Sequence, residues 1–316
     1  MMSSIFFQIL QAILMVMLAP LAAGFVSLIK ARLQNRRGAD IMQPWRDIRK
    51  LFAKEVVLAE HASWIFRFTP YVVFTATVMA ASVVPSLLLD TPLSLTADVI
   101  ALVALLALAR FFLSLAGMDI GTAFGGMGAS REMTFSALAE PAMLMSVFVL
   151  AIGAHSTNLT TMIQHTLSTS LMIQPSIAFA LVAMLMIAIV ETGRIPIDNP
   201  TTHLEVTMIH EAMLLEYSGR HLALMEWASM VKLLLFATLI IDLFFPWGIS
   251  GDANLLTIAL ALAIWLVKLM VLFVILAVME TSMAKLRLFE VPEYLGTAFV
   301  LAFLGLIIHF MLEVAP

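Results

Sequence analysis

The chain has 316 residues, of which 62% are hydrophobic and 12% charged, with a formal net charge of −4 and no cysteine. A soluble domain uses about 25% charged residues to cover its surface, so half that fraction excludes an ordinary soluble fold. The lack of cysteine excludes a thiolate-held iron–sulfur cluster, a disulfide framework and a thiolate nickel–iron site within this chain. Any redox chemistry therefore belongs to a partner.

Apolar runs long enough to cross a bilayer follow one another along the whole sequence. A hydrocarbon core of about 30 Å requires about 20 apolar residues at a helical rise of about 1.5 Å per residue. The sequence therefore predicts an all-α polytopic membrane protein with about eight transmembrane helices, forming a single membrane domain over 1–316. The predicted spans are 5–29, 69–89, 97–117, 133–154, 174–192, 228–247, 254–279 and 294–312.

Positive charge is distributed unevenly between the two sides of these spans. The first, third, fifth and seventh connecting segments carry nearly all the Lys and Arg residues, whereas the other segments and both tails have none. Basic segments remain on the cytoplasmic side of a membrane. We therefore expect a multi-pass protein of the inner (cytoplasmic) membrane with both termini on the non-cytoplasmic side, which requires an even number of spans.

The first basic segment contains a short amphipathic helix, QPWRDIRKLFAKEVV (43–57), with Pro44 at a favourable first helical position. Its apolar residues share one face: Trp45, Ile48, Leu51 and Phe52. Its basic residues share the other: Arg46, Arg49, Lys50 and Lys54. This pattern is typical of a helix that lies in the membrane interface. It fits either a simple anchor or a docking element beside a cavity.

The third segment, GMDIGTAFGGMGASRE (117–132), is rich in glycine, which favours an irregular and closely packed backbone. We expect Ser130 to cap a helix that starts at Arg131. Non-helical backbone at membrane depth is tolerated only inside protein or along a watery cavity. The segment is therefore expected either inside the protein or along such a cavity.

The fifth segment, 191–227, combines six acidic residues with a half-apolar composition. Desolvation raises the pKa of acids in such surroundings, which suits proton exchange near neutral pH. A metal site is not predicted, because His203, Glu205, His210 and Glu211 lack the HExxH spacing. Proton exchange is therefore the chemistry that this segment favours.

Several ionisable residues fall inside the predicted spans, where they are costly and usually face the bundle interior. Glu140 follows Glu132 by eight residues, about two helical turns, so both side chains can point into one cavity. An acidic route through Glu140 would carry protons or water. Arg110, Lys232 and Glu280 also fit simple snorkelling toward the membrane surface.

Seven segments together resemble the H-type membrane subunit family of respiratory complex I, and in detail its branch in group 4 energy-converting nickel–iron hydrogenases and formate hydrogenlyases. They are QNRRG (34–38), QPWRDIRKLFAKE (43–55), GASRE (128–132), AEP (139–141), ETGRIPIDNP (191–200), EYSG (216–219) and METSMAKLRL (279–288). The resemblance implies a non-catalytic membrane subunit that anchors a cytoplasmic redox arm. It also implies that electron transfer in that arm is coupled to H⁺ or Na⁺ translocation.

Partners and cofactors follow from the same resemblance. It implies hydrogenase-like large and small subunits in a peripheral arm, antiporter-like membrane subunits and the lipid bilayer, but no nucleic acid. A nickel–iron centre and iron–sulfur clusters would belong to the partners, a quinone is possible, and this chain would hold no metal, cofactor or catalytic residue.

Two residue sets follow from the acidic pattern and the resemblance together. The first is expected to couple proton or ion movement: Asp119, Glu132, Glu140, Glu191, Asp198, Glu205, Glu211, Glu216, Glu226 and Lys268. The second is expected to dock the partner: Arg36, Arg37, Arg46, Arg49, Lys50, Arg194 and Arg220.

Three other functions stay open. One is the quinone-site subunit of a complex I-type NADH or ferredoxin dehydrogenase, although complex I members carry an acidic run where Thr201, Thr202 and His203 stand here. Another is a stand-alone ion transporter, but we find no internal repeat of the kind such proteins usually show. The last is a passive anchor, against which Glu140 and the acidic fifth segment argue.

Overall fold

The computed structural model describes residues 2–89, 97–168, 174–198, 208–250, 255–284 and 286–314. Within these ranges the chain forms eleven α-helices and one 3₁₀ turn, and its only β pairing is two isolated bridges. The prediction of an all-α polytopic membrane protein is confirmed.

Seven of the described helices are long and apolar enough to cross a membrane, and an eighth apolar helix is shorter. Each predicted span overlaps one of these eight, while the assignment of the whole chain to one domain stays a prediction. The long helices are α1 (Met2–Leu33), α3 (Trp64–Val83), α4 (Val99–Asp119), α5 (Ala123–Gly153), α9 (Gly219–Phe244), α10 (Leu255–Ser282) and α11 (Val291–Val314), and the shorter one is α7 (Pro175–Glu191).

The remaining helical segments connect the spans. They are α2 (Gln43–Phe52), α6 (Leu159–Ser168), α8 (His210–Leu214) and the 3₁₀ turn Leu288–Glu290. We call the end of the bundle where α1 finishes the basic end. The described parts of the connecting segments that follow α1, α4, α7 and α10 lie at this end, and in the sequence these segments contain most of the Lys and Arg residues.

Helix α2 confirms the predicted amphipathic helix and shows what its apolar face contacts. Ile48 is buried, and the rings of Trp45 and Phe52 lie edge-on to Trp227 of α9 with centroids 5.4 and 6.4 Å apart. The basic residues on the opposite face are exposed. The helix is therefore packed on the bundle rather than held by lipid alone.

Helix α9 lies at the centre of the bundle, with α1, α3 and α2 packed around it. Its Trp227 indole Nε1 donates a hydrogen bond of 3.0 Å to the Val16 carbonyl of α1. Pro20 lies four residues after Val16 and has no N–H, so this carbonyl has no helical partner. Trp227 therefore satisfies the backbone acceptor that the proline leaves open and joins α1 to α9.

The expectation of an irregular glycine segment with a helix start at Arg131 is wrong. Helix α5 already begins at Ala123, where the Thr122 side chain accepts a hydrogen bond from the Gly125 N–H, and Ser130 lies within the helix. The glycines serve close helix packing instead. A Cβ atom on Gly125 would lie 2.3 Å from the Gly117 carbonyl oxygen of α4, and one on Gly128 would lie 2.9 Å from the Ile209 carbonyl oxygen.

This close approach predicts a large difference between two adjacent substitutions. Gly125→Ala should destabilise the protein by about 1–3 kcal/mol, because the methyl group meets backbone that cannot rotate away. Gly126→Ala is the matched control: its added Cβ meets nothing within 4 Å, so helix propensity should leave stability unchanged or raise it by up to about 1 kcal/mol. Thermal unfolding of the purified protein in detergent measures both, and equal shifts for the two variants would contradict the packing described here.

Candidate functional site

The guanidinium of Arg110 lies buried in the second half of α4 and contacts three carboxylates. Its Nη2 donates to both carboxylate oxygens of Glu191 at 2.6 Å, and its Nη1 donates to Glu140 Oε1 at 2.9 Å. Its Nε lies 3.7 Å from Glu132 Oε1. A guanidinium has five N–H donors in a fixed plane, which lets one side chain hold several acids at once.

Lys232 of α9 completes this group, with its Nζ 2.8 Å from Glu191 Oε2. We call the five residues Arg110, Glu132, Glu140, Glu191 and Lys232 the Arg110 cluster. It contains three carboxylates and two cations, so its fully ionised form carries one excess negative charge. A buried charge needs a partner, and a proton or a monovalent cation would balance this one.

The chain positions the cluster from four helices. Glu132 and Glu140 stand two turns apart on α5 and both face Arg110, which is the arrangement that their spacing predicts. Glu191 is the last residue of α7. The side chain of Glu140 is the most accessible of the three acids, with 35% exposed against 4% for Glu191. Glu140 is therefore the member best placed to exchange a proton.

Two cavities meet at the cluster. The larger has a volume of about 610 Å³ when its opening is counted, and it is lined by Lys232 together with apolar residues of α3, α4 and α9. The smaller has a volume of about 340 Å³ on the same basis, and it is lined by Asp198 together with residues of α5. Arg110, Glu132 and Glu191 are among the residues that line both, so the cluster borders each of the two spaces.

Asp198 lies beside the smaller cavity but is held by backbone. It is 2% exposed, and its Oδ2 accepts hydrogen bonds of 3.1 Å from the N–H groups of Ile209 and His210. These contacts join the described residues that come before 199–207 to those that come after. Glu205, another predicted coupling residue, lies outside the described residues.

The other predicted acids do not join the Arg110 cluster. Asp119 accepts a hydrogen bond of 2.9 Å from the Ser63 N–H, next to the start of α3. Glu211 and Glu216 are exposed at the basic end, and Glu226 is half-buried on α9 within electrostatic range of Glu211. All four lie toward the basic end, away from the Arg110 cluster.

Lys268 also lies away from the cluster. Its ammonium donates to the Phe245 carbonyl at 2.6 Å and to the Trp247 carbonyl, which places it beside the C-terminus of α9. Favourable contact between a cation and the last carbonyls of a helix is a sufficient structural reason for this lysine. The Asp242 carboxylate, on the last turns of α9, is buried within electrostatic range of it.

Most of the predicted docking residues form an exposed basic surface. Arg46 pairs with Asp40 at 2.8 Å, and the other exposed members are Arg36, Arg37, Arg49, Lys50 and Arg220. Arg194 differs, because its Nη1 lies 3.0 Å from Glu280 Oε1 and most of its side chain is buried. It is a bundle residue rather than a surface residue.

At the basic end, the first segment contacts the described part of the fifth segment that precedes α9. The Ser218 hydroxyl bonds to both the N–H and the carbonyl of Val57, at 2.8 and 2.9 Å. The Tyr217 ring stacks on Phe66 with centroids 3.9 Å apart and donates its hydroxyl to the Phe66 carbonyl at 3.0 Å. Burial raises the pKa of the Tyr217 phenol, so this donor stays protonated.

Sequence reasoning assigned no site role to Arg110 or Lys232. Both residues fit snorkelling equally well, because a linear sequence does not show which acid lies beside a cation within a span. The available signal was the coexistence of Arg110 with Glu140 at membrane depth, since a cation and an acid there usually pair with each other. That signal does not specify which of several acids is the partner.

Comparison with known proteins gives matches over nearly the whole chain. The family described as NADH dehydrogenase matches residues 6–311. Formate hydrogenlyase subunit 4 of Escherichia coli (strain K12) is 34% identical over 304 residues, covering 96% of this chain and 98% of the relative. Hydrogenase-4 component C of the same organism is 35% identical over 301 residues, covering 95% and 94%.

Two further comparisons are more distant. The H subunit of the NADH-quinone oxidoreductase of Salinibacter ruber is 25% identical over 227 residues, covering 69% of this chain and 65% of the relative. A chain of the membrane-bound sulfane sulfur reductase, an archaeal respiratory membrane complex, superposes with a TM-score of 0.79 at 20% identity, covering 96% and 99%. The latter likeness concerns the fold.

The Arg110 cluster predicts strong and non-additive effects on stability. Arg110→Met should destabilise the protein by about 3–5 kcal/mol, because it leaves buried carboxylates without their cation. The further change Glu140→Gln should cost less in that background than in the native protein, because the acid has already lost its partner. Arg67→Met, at an exposed arginine of α3, is the control and should change stability by about 0.5 kcal/mol or less.

A double-mutant cycle measures this coupling. It requires the unfolding free energies, in detergent, of the native protein, the Arg110→Met and Glu140→Gln variants and the double variant. Additive effects of the Arg110 and Glu140 changes would show that the two side chains are not coupled.

Proposed function

The chain belongs to the NADH dehydrogenase family, and on this premise we propose that it is the membrane subunit of a group 4 nickel–iron hydrogenase or formate hydrogenlyase-type complex. In this role it anchors a redox arm and couples electron transfer to translocation of H⁺ or Na⁺. Two relatives support the assignment, since formate hydrogenlyase subunit 4 and hydrogenase-4 component C match this chain over almost their full lengths. We assign no catalytic residue to the chain itself.

The observation that carries the coupling role is the charge imbalance of the Arg110 cluster. Two cations hold three carboxylates, and one of these, Glu140, remains partly accessible. Binding of a proton or a sodium ion neutralises the excess charge, and release restores it. A redox event that changes the local potential beside the cluster therefore changes its affinity for the ion.

The anchoring role rests on the surface of the basic end. The exposed arginines and lysines of the first segment and the adjoining fifth segment form a polar platform joined through Ser218 and Val57. Charged platforms of this kind orient a protein partner and speed its association. We place the hydrogenase-like large and small subunits on this platform and antiporter-like subunits beside the bundle in the membrane.

The cofactors follow from the absence of thiolates in this chain. With no cysteine in the sequence, we assign the nickel–iron centre and the iron–sulfur clusters to the partner subunits. The distribution of basic residues sets the orientation: the basic end faces the cytoplasm of an inner membrane, and both termini lie on the other side.

A second candidate is a quinone-site subunit of a complex I-type dehydrogenase. The relative from the NADH-quinone oxidoreductase supports it, and so does the lining of the larger cavity, which combines apolar residues with four residues of the Arg110 cluster. The lower identity of that relative and the sequence departure at Thr201, Thr202 and His203 count against it.

Isolation of the native complex separates the two candidates. A tag on this chain should co-purify a hydrogenase-like large subunit together with nickel and iron. Iron without nickel, together with flavin and quinone-dependent activity, would move the assignment to the complex I-type dehydrogenase. A chain that purified alone would contradict both and favour a stand-alone transporter.

Glu140→Gln tests the coupling role directly. Because an amide cannot take up a proton, the number of protons moved per hydrogen molecule should fall at least about tenfold in sealed vesicles, while hydrogen formation continues. Glu60→Gln, at an exposed carboxylate of the basic end, is the control and should leave the ratio unchanged. Equal ratios in the two variants would remove Glu140 from the coupling path.

A further inference from the structure

An apolar crevice lies between α7, α9 and α10, separate from the Arg110 cluster, and its volume is about 440 Å³ when the opening to the surroundings is counted. We call it the α7–α10 crevice. The residues that define it include Leu185, Ala188, Ala237, Ile240, Ile275 and Met279.

The crevice opens toward the membrane. Helix α10 packs mainly on α1 and α9, whereas α11 packs on α7 and α5, so among the described helices α10 and α7 approach each other only loosely beside this crevice. Ile275 lines the crevice and is 48% exposed. A molecule in the surrounding bilayer can therefore enter from the side.

The dimensions of the crevice suit a hydrocarbon chain. Its lining runs from Leu185 to Thr192 on the α7 side and from Leu272 to Met279 on α10. Seven residue steps along a helix span about 10 Å, which is most of one leaflet of a hydrocarbon core of about 30 Å. Even with its opening counted, the crevice has a volume of only about 440 Å³. A helix of about 10 Å diameter would need about 800 Å³ over that length, so a partner helix does not fit in the crevice.

Charged residues stand at the end of the crevice nearest the basic end. Met279 and Thr192 line this end, and Glu280 and Arg194 follow them in the chain. Glu280 pairs with Arg194 at 3.0 Å and also with Lys30 of α1. Two cations thus share one carboxylate, and the three side chains together carry one net positive charge at this end of the crevice.

We propose that the α7–α10 crevice binds an acyl chain of an anionic phospholipid whose phosphate lies against Lys30 and Arg194. The apolar lining accepts the chain, and the net positive charge selects an anionic headgroup, as basic pockets between membrane helices do. The lipid fills the gap between α10 and α7 and ties α1, α7 and α10 together at the basic end. This inference stands independently of the redox role.

Photocrosslinking in the purified complex tests the proposal. The complex is placed in phosphatidylcholine vesicles that contain a small fraction of phosphatidylglycerol with a photoreactive group in its acyl chain. Labelled peptides are then identified by mass spectrometry. Labelling is expected on the crevice residues of α7, α9 and α10, and a phosphatidylcholine probe with the same photoreactive chain should label them several-fold less.

Two pairs of variants separate headgroup selection from chain binding. Lys30→Gln leaves Arg194 paired with Glu280 and removes the net charge, so phosphatidylglycerol labelling should fall about fivefold. Arg32→Gln removes the same charge from the same exposed helix end without affecting Glu280, and should keep the labelling. Ala188→Phe fills the crevice and should abolish the labelling, whereas Ala104→Phe, at an exposed position of α4, should not.

Three results would overturn the proposal. Equal labelling by the two probes excludes anionic selection, and equal labelling in the Lys30 and Arg32 variants excludes the assigned phosphate site. Crosslinks from the crevice residues to a partner subunit, in place of lipid, would show that a protein segment fills the gap.

Discussion

A guanidinium buried at membrane depth is the constraint on which the arrangement of this bundle depends. Leaving Arg110 unpaired there would cost several kcal/mol, so the fold must bring acids to it from other helices. Glu132 and Glu140 come from α5 and Glu191 from α7, and Lys232 adds α9 through Glu191. The charges thus fix the relative positions of four helices whose other contacts are largely non-directional apolar packing. The same pairs leave one carboxylate in excess, which links the structural role to ion exchange.

Three features of the basic end bear on energy coupling. The exposed basic platform suits a soluble partner, the Arg110 cluster lies below it beside two cavities, and the triad of Lys30, Arg194 and Glu280 joins α1, α7 and α10. Charged residues therefore extend from the surface into the bundle. The described residues contain no group of acidic or histidine side chains that could hold a metal ion. In the proposed role, electron transfer occurs in the partner, and this chain responds through the electrostatics of its buried acids.

The sequence was sufficient for features that depend on local pattern. Apolar run lengths predicted the spans, and the apolar and basic faces of the segment after Pro44 predicted α2. The eight-residue spacing placed Glu132 and Glu140 on one side of α5. It was insufficient where a contact joins distant segments: Arg110 and Glu191 are 81 residues apart, and nothing local to either identifies the other. The glycines before Arg131 were misread because glycine permits both a loop and close helix packing, and only the position of Gly117 on α4 distinguishes them.

The central claim is that the acids of the Arg110 cluster change protonation when the redox partner changes state. Infrared difference spectroscopy of the purified complex, recorded between its reduced and oxidised forms, tests this in the carboxylic-acid stretching region. The account predicts a carboxyl band that is present in the native complex and lost in Glu140→Gln, with hydrogen formation maintained. A difference spectrum with no carboxyl band, or with a band that the substitution leaves unchanged, would contradict it.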